Sequence, residues 1–278
     1  MPSAGLRKRV DAIRGRPLPH GILGDCVEVV DVTDEHELLG TQWMPLSCAG
    51  AHDWEWCPDP ASPPGPAEKT FERPGSCSAP PITIYAGSTC STIGWSYDDA
   101  VTQARETLAL GEQRALEEWF MREQLCEMAT GNDLTPADGA VSIAQGVASL
   151  EGWLAEAYGG QGVLHVPAGA AALLGCCRVV ELDQGAPRTL MGNCVVLGSG
   201  YALNVGGAAC TQAPAGEAWL YITGPLRIRR EAPLIVPDTD GESVRTTTND
   251  RFVLAERTFV VETACCEAAA IRVKVCPC

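Results

Sequence analysis

Cysteine is the residue type in this 278-residue chain whose number most suggests chemistry, because the chain holds 14 of them. Four lie in the last stretch, CCEAAAIRVKVCPC: Cys265, Cys266, Cys276 and Cys278. Structural zinc sites favour two cysteines separated by two to four residues. The cysteines here are adjacent or separated by one residue, and the sequence contains no C-x-x-C. We therefore expect these cysteines to pack as small apolar residues, with disulfide formation as the alternative.

A second candidate for chemistry is a thiol beside a histidine. Cys194 or Cys210 with His165 would have the residue types of an activated nucleophile. His165 lies in the apolar segment GVLHVP, where a buried histidine with satisfied hydrogen bonds is the more common outcome. The segment LGSGY lacks the first glycine of a nucleophile elbow, and no glycine-rich phosphate loop leads from a strand into a helix. The sequence predicts no enzyme, no cofactor and no metal site; a cysteine-dependent or zinc-binding enzyme is kept as the least favoured alternative.

Composition excludes several classes of protein. The net charge of −15 argues against a dedicated nucleic-acid binder, which would present a basic surface to phosphate. No run of 18 apolar residues occurs, so no transmembrane helix and no membrane partner are expected. The basic segment 1–16 lacks the apolar core of a signal peptide. We expect synthesis in the cytoplasm, where thiols are normally kept reduced.

The elements that would position these residues begin with one unusually long helix. Ser96 is suited to cap it, with Asp99 three residues later, and no proline follows until beyond residue 128. A helix over 97–128 would be about 48 Å long at 1.5 Å per residue, far above the average of about 11–12 residues. Arg114 and Glu118 are spaced one turn apart on it. Its apolar positions predict one buried face: Val101, Ala104, Leu108, Ala115 and Trp119.

The remaining segments predict a mixed fold without regular strand–helix alternation. Segments 69–74 and 80–94 are apolar and separated by a turn, which predicts a projecting β-hairpin. A second helix is expected from Thr135-Pro136 to Gly159-Gly160. Two strands are expected near the end of the chain, the second over AAAIRVKV. This order indicates an α+β fold.

The order of these elements resembles that of the major capsid proteins of tailed phages, which have the Hong Kong 97 fold. KTFERPGSCSAPPITIYAGSTCST resembles their extended loop, SYDDAVTQARETLALGEQRALEEWFMREQL their spine helix, and TTTNDRFVLAERTFVVETACCEAAAIRVKV the returning strands. LALGEQRALEEWF and YGGQGVLHVP are similar to segments of capsid proteins from phages of actinobacteria. The resemblance implies an N-terminal arm with a proline-rich segment, an extended loop, a peripheral domain containing the spine helix, and an axial domain. Their expected ranges are, in that order, 1–65, 66–95, 96–135 with 233–278, and 136–232.

The resemblance also implies a function. Copies of the chain would assemble into the pentamers and hexamers of an icosahedral shell around double-stranded DNA. Assembly would take place in the host cytoplasm, and the finished shell would be part of the virion. The expected partners are the chain itself, portal and scaffolding or decoration proteins, and packaged DNA through non-specific contacts. The residues expected at subunit interfaces are Lys69, Phe71, Glu72, Arg73, Arg114 and Glu118. Some relatives join a lysine of the extended loop to an asparagine of another subunit, but a surface ion pair is the expectation for Lys69.

Two further readings remain open. An encapsulin, the shell of a bacterial protein compartment, has the same fold. The role of Cys265, Cys266, Cys276 and Cys278 is the other open point: we expect them to pack, with disulfides between subunits after particles leave the cell as the alternative. Residues before Lys69 are too few for a fused scaffold, so we expect scaffolding to come from another protein.

Overall fold

The computed structural model describes residues 12–46, 50–53, 69, 75–176, 178–264 and 267–275. The α-helices are α1 (Tyr97–Phe120), α2 (Cys126–Met128), α3 (Ile143–Ala157) and α4 (Ala171–Cys176). The strands are β1 (Glu28–Asp31), β2 (Thr41–Trp43), β3 (Cys77–Ala79), β4 (Pro81–Ser91), β5 (Val163–Pro167), β6 (Val180–Asp183), β7 (Ala186–Thr189), β8 (Cys194–Gly198), β9 (Val205–Gly206), β10 (Thr211–Gln212), β11 (Glu217–Thr223), β12 (Leu226–Arg230), β13 (Leu234–Val236), β14 (Val244–Arg245), β15 (Asp250–Thr263) and β16 (Ala268–Lys274). Within the described ranges, no helix has the length and apolar character needed to cross a membrane.

The predicted long helix is confirmed. Ser96 Oγ accepts a hydrogen bond from Asp99 N (3.1 Å), and Asp99 Oδ2 accepts one from Ser96 N (3.0 Å), so both halves of the capping box are present. After 24 residues α1 continues through a π-helical turn, Met121–Leu125, into α2. Its fully buried apolar stripe lies beside the predicted one and repeats mainly at four-residue spacing: Ala100, Ala104, Leu108, Leu116 and Phe120.

Helix α1 packs on a six-stranded sheet, which we call the first sheet. Its strand order is β1-β12-β15-β13, and β4 and β14 also pair with β15. β4 runs antiparallel to β15 over its whole length, from Pro81 opposite Val260 to Ser91 opposite Asp250. The first arm of the predicted hairpin, 69–74, lies outside the described residues apart from Lys69, so the hairpin stays a prediction.

Helices α3 and α4 lie with a second six-stranded sheet, in the order β16-β11-β5-β8-β7-β6. α3 begins at Ile143 rather than at the predicted Thr135, with Ser142 as its cap. The preceding segment hydrogen-bonds the open edge of β16 instead: Leu134 N donates to Ala270 O (2.8 Å) and Val141 N to Arg272 O (3.1 Å). Because these backbone groups are satisfied by β16, the segment has no need of helical hydrogen bonds.

The chain passes from the first sheet to the second through α1 and α3, returns after β11, and crosses again after β15. Ala264 N donates to Pro225 O (2.8 Å) where the last two crossings lie side by side. The predicted division at residue 233 therefore differs from the sheet membership. β12, assigned to the range 136–232, belongs to the first sheet, and β16, assigned to 233–278, belongs to the second. β16 belongs to the second sheet because its backbone pairs with β11 and its apolar side chains pack against α3.

Candidate assembly interface

An N-terminal segment, residues 14–27, is attached to α1 by an ion pair and several hydrogen bonds, and we call it the strap. The strap runs alongside α1 in the same direction as the helix. Arg14 Nε pairs with Glu106 Oε1 at 3.0 Å, and Leu18 O accepts a hydrogen bond from Gln113 Nε2 at 3.0 Å. These contacts follow one side of the helix, because successive neighbours are one or two turns apart.

Glu117 ends this row of contacts and is the centre of the site. Its side chain is fully buried. Oε1 accepts from Ile22 N of the strap at 3.0 Å, while Oε2 accepts from Gly200 N at 2.8 Å and from Ser199 Oγ at 3.2 Å. One carboxylate therefore joins the strap, the long helix and the 3-10 turn Gly200–Leu203 that follows β8.

Burial raises the pKa of Glu117, and the hydrogen bonds from Gly200, Ile22 and Ser199 partly offset that rise. The approach of the turn to the helix leaves no space for a side chain at Gly200. A Cβ there would lie 2.2 Å from Arg114 O and 2.6 Å from Glu118 N, both backbone atoms of the helix. The glycine at residue 200 thus permits close packing of this turn on α1.

Two disulfides secure the same part of the molecule. Cys26 of the strap is bonded to Cys194 at the start of β8, and Cys126 of α2 is bonded to Cys210 in a turn between β9 and β10. Leu197 N also donates to His20 O at 2.7 Å. The expectation that cysteines only pack as free thiols is therefore wrong for these four. Among the residues that the structure describes, Cys90 is free and exposed.

The structure also overturns the candidate thiol–histidine pair. Cys194 and Cys210 are paired with other cysteines, and both ring nitrogens of His165 have partners other than cysteine. The ring nitrogens of His165 lie 2.8 Å from Tyr201 Oη and 3.0 Å from Thr223 Oγ1. Complete burial lowers the pKa of His165 to about 3, so the ring is neutral. The alternative interpretation, a core histidine with satisfied hydrogen bonds, is confirmed.

A buried ion pair joins α1 to the first sheet. Arg257 Nη1 on β15 lies 2.9 and 3.0 Å from the two carboxylate oxygens of Glu112. Both side chains are largely buried. Burial raises the pKa of Glu112, and the positive charge of Arg257 acts in the opposite direction.

The residues predicted to lie at subunit interfaces have different positions. Arg114 is exposed and Glu118 is half-buried, both on the stretch of α1 beside Gly200; Lys69 is exposed. Phe71, Glu72 and Arg73 lie outside the described residues, as do Cys265, Cys266, Cys276 and Cys278. In the described ranges, no group of three or more His, Cys, Asp or Glu residues is arranged to hold a metal ion.

Sequence reasoning missed Glu117 and the strap. Glu117 stands beside Glu118 in the sequence, and only the phase of the helix separates the buried carboxylate from the half-buried one. The signal that could have found it is its position between Leu116 and Phe120, which both belong to the buried stripe.

The fold is that of known capsid proteins, although the sequence matches no family model and no curated protein. The capsid chain of a native GTA particle is 14% identical, with a TM-score of 0.55 over 98% of this chain and 96% of that chain. A chain of Mycobacterium phage Adephagia is 13% identical, with a TM-score of 0.52 over 99% and 97%. A chain of the bacteriophage PhiM1 mature capsid is 13% identical, with a TM-score of 0.50 over 98% and 93%. The predicted Hong Kong 97-type fold is confirmed.

Proposed function

We propose that this chain is a structural protein that assembles with copies of itself into the icosahedral shell of a tailed-phage virion. The observation that carries the proposal is the extent of the structural likeness. It spans nearly all of this chain and nearly all of the capsid chains of the GTA particle and PhiM1. A shared fold alone does not fix function, but a match over nearly the whole length of both chains favours the same task.

Such a task requires surfaces rather than a reaction centre. A closed assembly forms when each copy presents complementary patches to its neighbours and the rotation between neighbouring copies brings the last copy back to the first. Arg114, Glu118 and Lys69 are our candidates for such patches, together with Phe71, Glu72 and Arg73. Portal, scaffolding and decoration proteins are the expected partners of the assembled shell, and the host cytoplasm is the expected place of assembly.

The negative charge of the chain suits a container for DNA. A net charge of −15 keeps the average contact with the phosphate backbone weak, so packaged DNA is enclosed without being held tightly. The encapsulin alternative is not favoured, since the three similar chains described above come from phages and a GTA particle.

Sedimentation of the full-length chain, purified after expression in bacteria, tests the proposal. We expect particles many times larger than the 29.4 kDa subunit, seen as closed shells by negative-stain electron microscopy. Particles isolated with the other phage components should contain nuclease-protected DNA. Shells that enclose a specific protein and no DNA would support the compartment alternative. A chain that remains monomeric at every concentration and ionic strength would rule out both shell functions.

A further inference from the structure

The Cys26–Cys194 and Cys126–Cys210 disulfides share an asymmetry. In each, one cysteine is buried on a regular element: Cys194 on β8 is 5% exposed, and Cys126 on α2 is 1% exposed. The other cysteine is half-buried on an irregular segment: Cys26 on the strap, and Cys210 in a turn with a left-handed φ of 47°. Each bridge therefore ties a surface segment to a core element, and neither joins two core elements.

Each segment is also held by contacts that do not involve its bridge. The strap is already held by Glu117, Gln113 and the bond from Leu197 N to His20 O. The Cys210 turn is held by the β9–β10 pairing and by Ala213 N donating to Asn204 O at 3.1 Å. None of these contacts involves a cysteine side chain, so they would hold the four cysteines in the same positions as thiols.

We infer that the Cys26–Cys194 and Cys126–Cys210 bridges form after the assembled shell leaves the reducing cell, an inference that rests on the proposed function. In each bridge the half-buried cysteine reacts before the buried one, and the bridge then fixes the strap or the Cys210 turn covalently. Cytoplasmic thiols are normally kept reduced, whereas a released virion meets an oxidising environment. The strap would be attached by hydrogen bonds alone during assembly and covalently in the released particle.

The order of attack follows from the difference in burial. A small-molecule disulfide outside the cell can reach the half-buried Cys26, whose thiolate attacks one of its sulfurs. This step forms a mixed disulfide and releases one small thiolate. The buried Cys194, as thiolate, then attacks Sγ of Cys26 and displaces the second small thiolate. Two protein thiols are oxidised, one small disulfide is reduced to two thiols, and the two protons pass to those thiols.

Alkylation at the moment of lysis tests the timing. Cells producing the full-length chain are lysed in N-ethylmaleimide, and a second sample is exposed to oxidised glutathione after lysis and then alkylated. Peptide mass spectrometry locates the bridged residues. We expect Cys26, Cys194, Cys126 and Cys210 to be alkylated in the first sample and bridged in the second. Bridges already complete in the first sample would overturn the inference, as would thiols that stay reduced in the second.

Single variants test the order of attack. With oxidised glutathione, Cys194→Ser should retain a stable glutathione adduct on Cys26, and Cys26→Ser should carry at least about tenfold less adduct on Cys194, because burial limits access of the reagent. Cys90→Ser is the matched control, since it removes an exposed thiol without touching either bridge. Equal adducts on Cys26 and Cys194 in the two variants would contradict the proposed order.

The same peptides can be analysed from soluble subunits and from particles. If no particle forms but the subunits show this thiol chemistry, the proposed shell function fails and the order of attack stands. If particles form with bridges made inside the cell, the timing fails and the shell function stands.

Discussion

The two long helices pack on their sheets in different ways. α3 meets the second sheet mainly through apolar residues: Ile143, Gly146, Val147, Leu150 and Leu154. At the edge of this contact the half-buried Glu151 accepts hydrogen bonds from Asn193 Nδ2 (2.8 Å) and from Thr189 Oγ1. α1 buries Glu112, Gln113 and Glu117 among its apolar residues. Apolar packing is strong and non-directional, whereas a buried carboxylate is stable only where particular donors meet it. We call the packing of α3 on the second sheet the α3 seam, and the contacts of α1 with the strap and with the turn after β8 the α1 seam. The comparison indicates that the α3 seam mainly stabilises the fold, while the α1 seam selects one position for the strap.

The seam of α3 shows how close an apolar contact can become. Gly146 faces β16, and a Cβ at this position would lie 2.4 Å from Val273 Cγ1. The helix can approach the strand because residue 146 carries no side chain. In the α1 seam the corresponding close approach, at Gly200, is secured by hydrogen bonds to Glu117.

Removing the Glu117 carboxylate should have the largest effect on the free energy of unfolding and on the attachment of the strap to α1. Glu117→Ala leaves two buried backbone N–H groups and the Ser199 hydroxyl without their acceptor, at about 1–3 kcal/mol for each group. Part of this cost is offset because the carboxylate itself is costly to bury. We expect a loss of about 3–5 kcal/mol in the free energy of unfolding, measured by urea denaturation, and faster amide exchange at Ile22. Glu118→Ala is the matched control, and an equal loss in that variant would contradict the role of Glu117.

Truncation in the α3 seam should be costly without being specific to the strap. Leu150→Ala removes a fully buried side chain, at about 2–5 kcal/mol. We expect a lower urea midpoint, while in native conditions the Ile22 amide keeps the local protection that Glu117 provides. Preferential loss of protection at Ile22 in Leu150→Ala would show that the two seams are not distinct.

Lowering the pH should destabilise the folded chain through His165, which lies on β5 of the second sheet beside Phe120 of α1. The unfolded chain binds a proton on this ring below about pH 6.5, whereas the folded chain keeps it neutral down to about pH 3. Stability is therefore lost as the pH falls through that window, by about 1.4 kcal/mol per pH unit. His165→Gln should lose about 2 kcal/mol less than the parent chain between pH 7 and pH 5. Identical pH profiles from urea titrations would contradict the neutral buried ring.

The exposed charge on α1 should have the smallest effect on folding. Arg114→Glu changes an exposed side chain, so the free energy of unfolding should shift by no more than about 0.5 kcal/mol. We nevertheless expect fewer particles in sedimentation, because the reversed charge would face a neighbouring copy. Arg105→Glu, also exposed on α1, is the control for a general charge effect. Unchanged assembly in Arg114→Glu would remove Arg114 from the proposed interface.

The sequence was sufficient for elements whose signals are local. The capping box at Ser96, the long helix through residue 128 and the strand over AAAIRVKV each have signals that lie within a few residues. The structure contains all three, with a π-helical turn inside the helix and with both faces of β16 buried from Ala268 to Ile271. The order of these elements also led to the correct fold.

The failures share a physical cause, because each depends on partners far away in the chain. Cys26 and Cys194 are 168 residues apart, and sequence alone does not fix which cysteines pair. Segment 133–141 has the cap and proline of a helix start, yet its backbone bonds to β16, which follows more than 100 residues later. Glu117 resembles a surface residue until Ile22 and Gly200 are placed beside it.

Cryo-electron microscopy of purified full-length particles tests the central claim most directly. We predict closed icosahedral shells in which each subunit shows continuous density for the strap along α1, with Ile22 against the Glu117 carboxylate. A protein that stays a 29.4 kDa monomer under all assembly conditions would contradict the shell function. Shells in which the strap leaves α1 and Glu117 faces solvent would contradict the proposed role of the α1 seam.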